Sequence, residues 1–191
     1  DSDESRGLGD VYKRQFLDDP ATLTISIHQE HNYPLDTGGT EVQGADKSNI
    51  NLPLPPGAGH DSYLRVIENI VQPALNQFKP DLIVVACGYD AAAIDPLSRM
   101  MATAKTFAAM TTAIKHTATA LCDGRLVLVH EGGYSEVYVP FCGHATIAAL
   151  AESSIVAPDP FADTFAQRQP TERFQSFLDG WVDDLAQFHA S

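Results

Sequence analysis

The sequence predicts an α/β fold built on a mainly parallel sheet, with helices on both faces and hence three layers. Two short runs, residues 81–87 (DLIVVAC) and 125–130 (RLVLVH), are almost continuously apolar. Such runs are typical of strands that are buried on both faces of a parallel sheet. A helical pattern over 103–122 separates the two runs, and the order strand, helix, strand places parallel strands side by side.

The N-terminal half of the pattern contains two further strands and one long helix. Residues 22–28 are rich in β-branched side chains and predict a strand, and residues 49–54 predict a second one. The apolar spacing over 61–78 predicts a helix with Asp61 as its N-cap. Pro73 lies inside this helix and is expected to kink it.

The C-terminal part is predicted to be helical over 136–152 and 171–189. Between these helices, residues 153–170 contain three prolines and are expected to form a loop. The first fifteen residues are polar and show no clear period. We therefore interpret 1–15 as a foreign junction or a disordered tail, and 16–191 as part of a single domain.

Charge and cysteine content restrict the class of protein. The chain has 12 Lys+Arg against 25 Asp+Glu, a formal net charge of −13. This balance argues against direct nucleic-acid binding and is compatible with a cationic substrate, although a solubilising acidic surface is the simpler explanation. Three cysteines without a C-x-x-C pair fit a reducing compartment, so we expect a cytoplasmic location. No apolar run approaches the roughly 18 residues of a membrane span.

Polar side chains follow the two apolar strands at the points where they end. Asp90 follows the first strand in the sequence Gly-Tyr-Asp, and Tyr134 follows the second after Gly132 and Gly133. Ligands of open parallel sheets bind outside the carboxyl ends of the strands, so both side chains are expected at one mouth. A carboxylate there can hold a cation, although Asp90 could instead cap a turn. A tyrosine hydroxyl can donate a hydrogen bond to a developing oxyanion.

The motifs are more specific in combination than alone. In chain order they are SIHQ at 26–29, NLPLPPGAG at 51–59, KPDLIVVACGYDAAAIDPL at 79–97 and GRLVLVHEGGYSEVYVPF at 124–141. Over about residues 16–152 the chain closely resembles the class II-like bacterial branch of the histone deacetylase and acetylpolyamine amidohydrolase superfamily. The resemblance implies the arginase–deacetylase fold, of which 16–191 would be the C-terminal portion. It also implies hydrolysis of an acyl amide on an acetylated lysine side chain or an acetylpolyamine.

The resemblance also implies site residues and ions. Asp90 matches one of the two aspartates that hold a Zn²⁺ ion together with a histidine, and Tyr134 matches the catalytic tyrosine. Tyr33, Gly132 and Gly133 match positions along the substrate channel. The resemblance also places four residues near monovalent-cation sites or behind the zinc ligands: Phe16, Ser26, His28 and His130. A bound K⁺ ion is therefore a further expectation.

Other family residues have no counterpart in this chain. The tandem histidine pair that supplies the general base is expected upstream of residue 1, and an Asp-x-His motif with the other zinc ligands is expected just before Phe16. Asp3 could stand for that aspartate, but Ser5 occupies the place of the histidine. Two hypotheses follow: an incomplete part of a zinc amidohydrolase, or a non-catalytic α/β binding or interaction module. Both hypotheses are compatible with a homo-oligomer.

Overall fold

The computed structural model describes residues 13–33 and 37–190. Within these residues the strands are β1 (Thr24–Gln29), β2 (Asn49–Leu54), β3 (Ile83–Cys87) and β4 (Leu126–His130). The helices are α1 (His60–Val66), α2 (Gln72–Phe78), α3 (Ala104–Cys122), α4 (Val139–Ala151), α5 (Ala162–Gln167) and α6 (Glu172–Ala190). A π-helical turn (Ile67–Val71) joins α1 to α2, and a short 3₁₀ turn (Ala45–Lys47) precedes β2.

All strand pairs of the described residues are parallel, as predicted. β1 pairs with β2 with Thr24 opposite Asn49, and β3 pairs with β4 with Ile83 opposite Leu126. Each predicted strand lies within two residues of its observed bounds. Within the described part of the chain, no strand pairing joins the β1–β2 ladder to the β3–β4 ladder.

The centre of the core is β2, whose Leu52 is completely buried. Helix α6 packs against β2 and also against α1, and it contributes the buried side chains of Leu178 and Val182. The indole N–H of Trp181 donates a 2.8 Å hydrogen bond to the carbonyl of Pro53, which fixes α6 along the strand. The apolar face predicted for the last helix is therefore the face that it buries.

One face of the β3–β4 ladder is exposed, which differs from the predicted burial on both faces. Val84, Val127 and Val129 are 60%, 46% and 44% exposed, whereas Ile83 on the opposite face is buried. A continuous apolar run shows that both faces of a strand are suited to burial, but it does not show which element covers each face. Among the described residues, this valine face has no such cover.

The start of the long helix differs from the prediction. Its N-cap is Gly59, and the N–H of His60 donates to the side-chain Oε1 of Gln169 at 2.8 Å. Asp61 lies in the first turn, where its negative charge suits the positive end of the helix dipole. A cap supplied from a residue more than a hundred positions away is invisible to a local pattern.

Pro73 is accommodated by the π-helical turn that immediately precedes it. The N–H of Gln72 bonds to the carbonyl of Ile67, five residues back, which is the wider spacing of a π turn. Proline has no N–H to donate, and its ring crowds the preceding turn of a regular α-helix. The widened turn is the local response to that crowding.

The segment 153–170, predicted as a loop, contains helix α5. Its residue Phe165 is buried, and the Phe165 ring meets the ring of Tyr138 edge-on at 4.9 Å. The Tyr138 hydroxyl donates to Asp159 Oδ2 at 2.9 Å and accepts from the N–H of Ala104 at 3.1 Å. These tertiary contacts order a segment whose three prolines indicated a loop.

Most of the segment 1–15 lies outside the described residues, so its interpretation as a junction or tail stays a prediction. Residues 13–15 are helical, and the Lys13 ammonium donates a 2.6 Å hydrogen bond to Asn51 Oδ1. Within residues 13–33 and 37–190, no helix combines the length and apolarity that a membrane span requires.

Candidate active site

The loops that carry Asp90 and Tyr134 leave the sheet side by side. Cys87 lies opposite His130 at the ends of β3 and β4. Two more backbone hydrogen bonds continue the ladder: the N–H of Glu131 donates to Cys87 O at 3.1 Å, and the N–H of Tyr89 donates to Gly132 O at 2.8 Å. The loops 88–101 and 131–138 therefore begin at one edge, which is the arrangement that the strand ends predicted.

Asp90 and Tyr134 approach each other around Gly132. A Cβ atom added to Gly132 would lie 3.2 Å from Asp90 Oδ2 and 3.5 Å from the Tyr134 hydroxyl oxygen. The carboxylate and the hydroxyl thus flank one small volume that only a glycine leaves open. The Tyr134 side chain is 55% exposed, so this volume opens towards solvent.

The backbone turn before Tyr134 requires glycine at position 133. Gly133 has φ +131°, a conformation that residues with a side chain rarely adopt. A Cβ there would come within 2.9 Å of Tyr89 Cβ and 3.0 Å of Val139 Cγ2. Gly133 therefore lets the chain turn closely over Tyr89 and sets the direction in which Tyr134 leaves the loop.

The surroundings of Asp90 disfavour its charged form. Burial raises the pKa of Asp90, and the nearby negative charge of Asp95 contributes to the same shift, while backbone hydrogen bonds oppose it. The Ser98 hydroxyl donates to the carbonyl oxygen of Asp90 and ties the two ends of this turn together. A half-buried carboxylate with an adjacent like charge gains electrostatic stabilisation from a bound cation.

Asp95 is a site residue to which the sequence interpretation gave no role. It is only 6% exposed. Its Oδ2 accepts a 2.7 Å hydrogen bond from the N–H of Tyr134, and its Oδ1 accepts a 2.9 Å bond from the N–H of Leu97. The only local signal is an acidic residue before a proline, five positions after Asp90. Its partner Tyr134 lies 39 positions away.

Tyr33, predicted to line the substrate channel, is 62% exposed and directly precedes the segment 34–36, which lies outside the described residues. The neighbouring Asn32 side chain donates a 3.3 Å hydrogen bond to the carbonyl of Leu97. This contact brings the segment with Tyr33 beside the loop 88–101. The structure thus places Tyr33 near the loop that carries Asp90.

Ser26 and His28 lie on β1, on the other ladder from Asp90. Both ring nitrogens of His28 have partners: Nδ1 pairs with the Ser26 hydroxyl at 3.0 Å, and Nε2 pairs with the carbonyl of Gly38 at 3.0 Å. Since the carbonyl can only accept, Nε2 carries the proton and Nδ1 accepts from Ser26. Both ring nitrogens of His28 are thus engaged in hydrogen bonds, and the roles predicted for Ser26 and His28 near a monovalent cation or behind the zinc ligands stay predictions.

The last two predicted residues are His130, at the end of β4, and Phe16, before β1. The ring of His130 lies 5.2 Å from that of Tyr89, beneath the loop that carries Asp90, and its side chain is exposed. Phe16 precedes β1 and is 38% exposed. Their predicted roles behind the zinc ligands and near a monovalent cation stay predictions.

The described residues do not fit a complete zinc centre. In residues 13–33 and 37–190, no three His, Cys, Asp or Glu side chains are grouped closely enough to hold a metal ion. A catalytic zinc site has three protein ligands and an open position. Asp90 can supply one of these ligands, and the described part of the chain supplies no full set.

Comparison with known proteins decides the family. Residues 8–150 match the model of the histone deacetylase domain. The chain belongs to the histone deacetylase family. It is 43% identical over 189 residues to a histone deacetylase-like amidohydrolase of Pseudomonas aeruginosa, covering 97% of this chain and 49% of that protein. It is 41% identical over 147 residues to a probable deacetylase of Archaeoglobus fulgidus, covering 75% of this chain and 41% of that protein.

Solved structures confirm the predicted fold. The histone deacetylase Clr3 superposes with a TM-score of 0.67 at 27% identity, over 81% of this chain and 28% of that one. The HD domain of HDA15 superposes with a TM-score of 0.66 at 24% identity, over 92% of this chain and 48% of that one, which shows the fold alone. The chain spans about half the length, or less, of the relatives it matches.

Proposed function

We propose that the protein to which this chain belongs hydrolyses an acyl amide on an amine, and that Asp90 and Tyr134 form one side of its active site. The observation that carries the proposal is the approach of the Asp90 carboxylate and the Tyr134 hydroxyl around Gly132. Membership of the histone deacetylase family supports it, as do two relatives named as an amidohydrolase and a probable deacetylase.

Tyr134 has the role of an oxyanion donor in this proposal. When water attacks an amide carbonyl, negative charge develops on the oxygen, and a positioned O–H group stabilises that charge in the transition state. The Tyr134 hydroxyl is suited to this because its side chain is largely exposed and its oxygen lies over the volume beside Gly132. Among the described residues, no acceptor receives a hydrogen bond from this hydroxyl.

A Zn²⁺ ion is part of the proposal for the whole protein. Asp90 would supply one ligand. Because residues 13–33 and 37–190 contain no group of three candidate ligands, the other ligands would come from outside these residues. We therefore assign no step of the reaction to the ion. A K⁺ ion near Phe16 and Ser26 remains a separate expectation of the family resemblance.

The proposed substrate is an acetylated lysine side chain or an acetylpolyamine. Both belong to cationic molecules, and the formal net charge of −13 gives the chain a negative potential that attracts cations. Tyr33, Gly132 and Gly133 would line the channel that admits the acyl group. A cytoplasmic location and a homo-oligomer remain predictions beside this proposal.

A second candidate is a non-catalytic binding or interaction module. The observation that favours it is the absence of a three-ligand group from the described residues. A module of this kind would bind a partner without needing zinc. Zinc content and hydrolysis, measured together, separate the two candidates.

The test uses the complete gene product that contains this chain, purified with and without a chelator. We expect one zinc ion per chain by atomic emission, and zinc-dependent hydrolysis of an acetyl-lysine peptide or acetylputrescine. Asp90→Asn should lose zinc, whereas Asp123→Asn should keep it, because Asp123 is an exposed residue at the end of α3. A product that binds no zinc and hydrolyses neither substrate would favour the binding module.

A further inference from the structure

The loop with Asp90 and the loop with Tyr134 are joined by the buried carboxylate of Asp95. One oxygen accepts from the N–H of Tyr134 at 2.7 Å, and the other accepts from the N–H of Leu97 at 2.9 Å. Hydrogen bonds to an ionised carboxylate are shorter and stronger than neutral ones. Asp95 therefore binds the Tyr134 backbone to the loop 88–101.

Tyr134 depends on this bond because it is the one hydrogen bond that Tyr134 makes within the described residues. Its side chain is 55% exposed, so packing fixes the ring only weakly. The residue before it, Gly133, has no side chain that could anchor the loop. The N–H of Tyr134 is the first point after that glycine at which the loop is held from outside.

We propose that Asp95 is the positioning residue that holds the Tyr134 hydroxyl opposite Asp90, an inference that rests on the proposed function. Asp95 acts through the backbone of Tyr134, and its two oxygens are directed at N–H groups. The oxyanion forms only in the transition state, so misplacing its donor lowers kcat and leaves substrate binding nearly intact. The variant should still bind zinc, because Asp90 keeps its own hydrogen bond from Ser98.

The chain supplies a matched control in Asp159. Its Oδ1 accepts a 2.8 Å bond from the N–H of Phe161, two residues on, just as Asp95 accepts from Leu97. Its Oδ2 accepts from the Tyr138 hydroxyl at 2.9 Å. Asp159→Asn therefore removes one of two similar acceptor oxygens, as Asp95→Asn does, at a residue that makes no hydrogen bond to Tyr134.

The test is a double-mutant cycle in the complete gene product, with Asp95→Asn, Tyr134→Phe and the double variant. Asp95→Asn should lower kcat roughly tenfold to a hundredfold with little change in KM, since a misplacement of about 1 Å has effects of this size. In the Tyr134→Phe background the same change should lower kcat by less than about twofold, because residues that act as one unit are not additive. Asp159→Asn should keep the wild-type kcat and zinc content.

Additive effects in the cycle, or a wild-type kcat in Asp95→Asn, would overturn the proposal. Asp95→Glu, which keeps the charge but lengthens the arm, is the second variant and should also lower kcat. If both variants fail to fold while Asp159→Asn folds, Asp95 is required for folding and the proposal is wrong. Failure of the proposed function itself looks different, because the wild-type protein would then show no hydrolysis at all.

Discussion

The Tyr138 hydroxyl bridges two segments, donating to Asp159 Oδ2 and accepting from the N–H of Ala104. Tyr138 is completely buried and Ala104 is buried, so loss of the hydroxyl leaves the N–H of Ala104 without its partner, while Asp159 is only partly buried. We expect Tyr138→Phe to lower the free energy of unfolding by about 1–3 kcal/mol, as measured by urea denaturation. The control is Tyr134→Phe, an exposed position that should change it by less than about 0.5 kcal/mol. Equal effects of the two variants would contradict the packing described for Tyr138.

Gly132→Ala should impair the site without unfolding the protein. The added methyl group would lie 3.2 Å from Asp90 Oδ2 and 3.5 Å from the Tyr134 hydroxyl, so it fills the volume between them. We expect kcat to fall at least about tenfold. Gly180→Ala in α6 is the control, because a Cβ there meets no atom within 4 Å. It should keep full activity and raise stability by about 0.5–1 kcal/mol.

Stability should decrease as the pH falls below about 6.5. Burial lowers the pKa of His60 from its usual 6.5, aided by Lys105 and opposed by Asp61, and burial also lowers the pKa of His189, opposed by its bond to Asn51. As the pH falls, the two histidines are therefore protonated in the unfolded chain before they are protonated in the folded chain, and this difference disfavours folding. This loss of stability is absent above the pKa that the two histidines have in the unfolded chain, and it is complete below the pKa that they have in the folded protein. The free energy of unfolding, measured in urea at several pH values between 7.5 and 5, should depend less steeply on pH in the double variant His60→Gln, His189→Gln. An unchanged slope would contradict this cause.

The exposed valine face of the β3–β4 ladder should make the 191-residue chain self-associate. Val84, Val127 and Val129 form one contiguous apolar surface on a sheet, which favours association. The triple change to threonine keeps β-branched side chains while adding hydroxyls, so sedimentation velocity should show less association. Ile147→Thr, at a single exposed position of α4, should have little effect. A soluble monomer with a sharp, reversible thermal transition before any change would contradict this expectation.

The positions of Asp90 and Tyr134 could be predicted because they depend on local rules. Each follows a short apolar strand, parallel strands end at one edge, and the glycines before Tyr134 mark a close turn. The role of Asp95 could not be predicted, because its bond to Tyr134 joins two loops across a pair of strands. No periodicity or turn signal encodes such a contact.

The same distinction explains the differences in the fold. Helix α5 forms where Phe165 can pack on Tyr138, and a tertiary contact of this kind overrides the loop signal of nearby prolines. The N-terminus of α1 is capped by the side chain of Gln169, so the local candidate Asp61 was wrong as the cap. Strand and helix periods, which depend on burial of one face, were predicted closely.

The most direct test of the central claim is the kcat of Tyr134→Phe in the complete gene product, with zinc content measured on the same sample. If Tyr134 donates to the oxyanion opposite Asp90, kcat should fall by about a hundredfold or more while zinc content and KM stay nearly constant. Tyr138→Phe should keep most of its kcat at a temperature where it is folded. A Tyr134→Phe variant with the wild-type kcat would contradict the account.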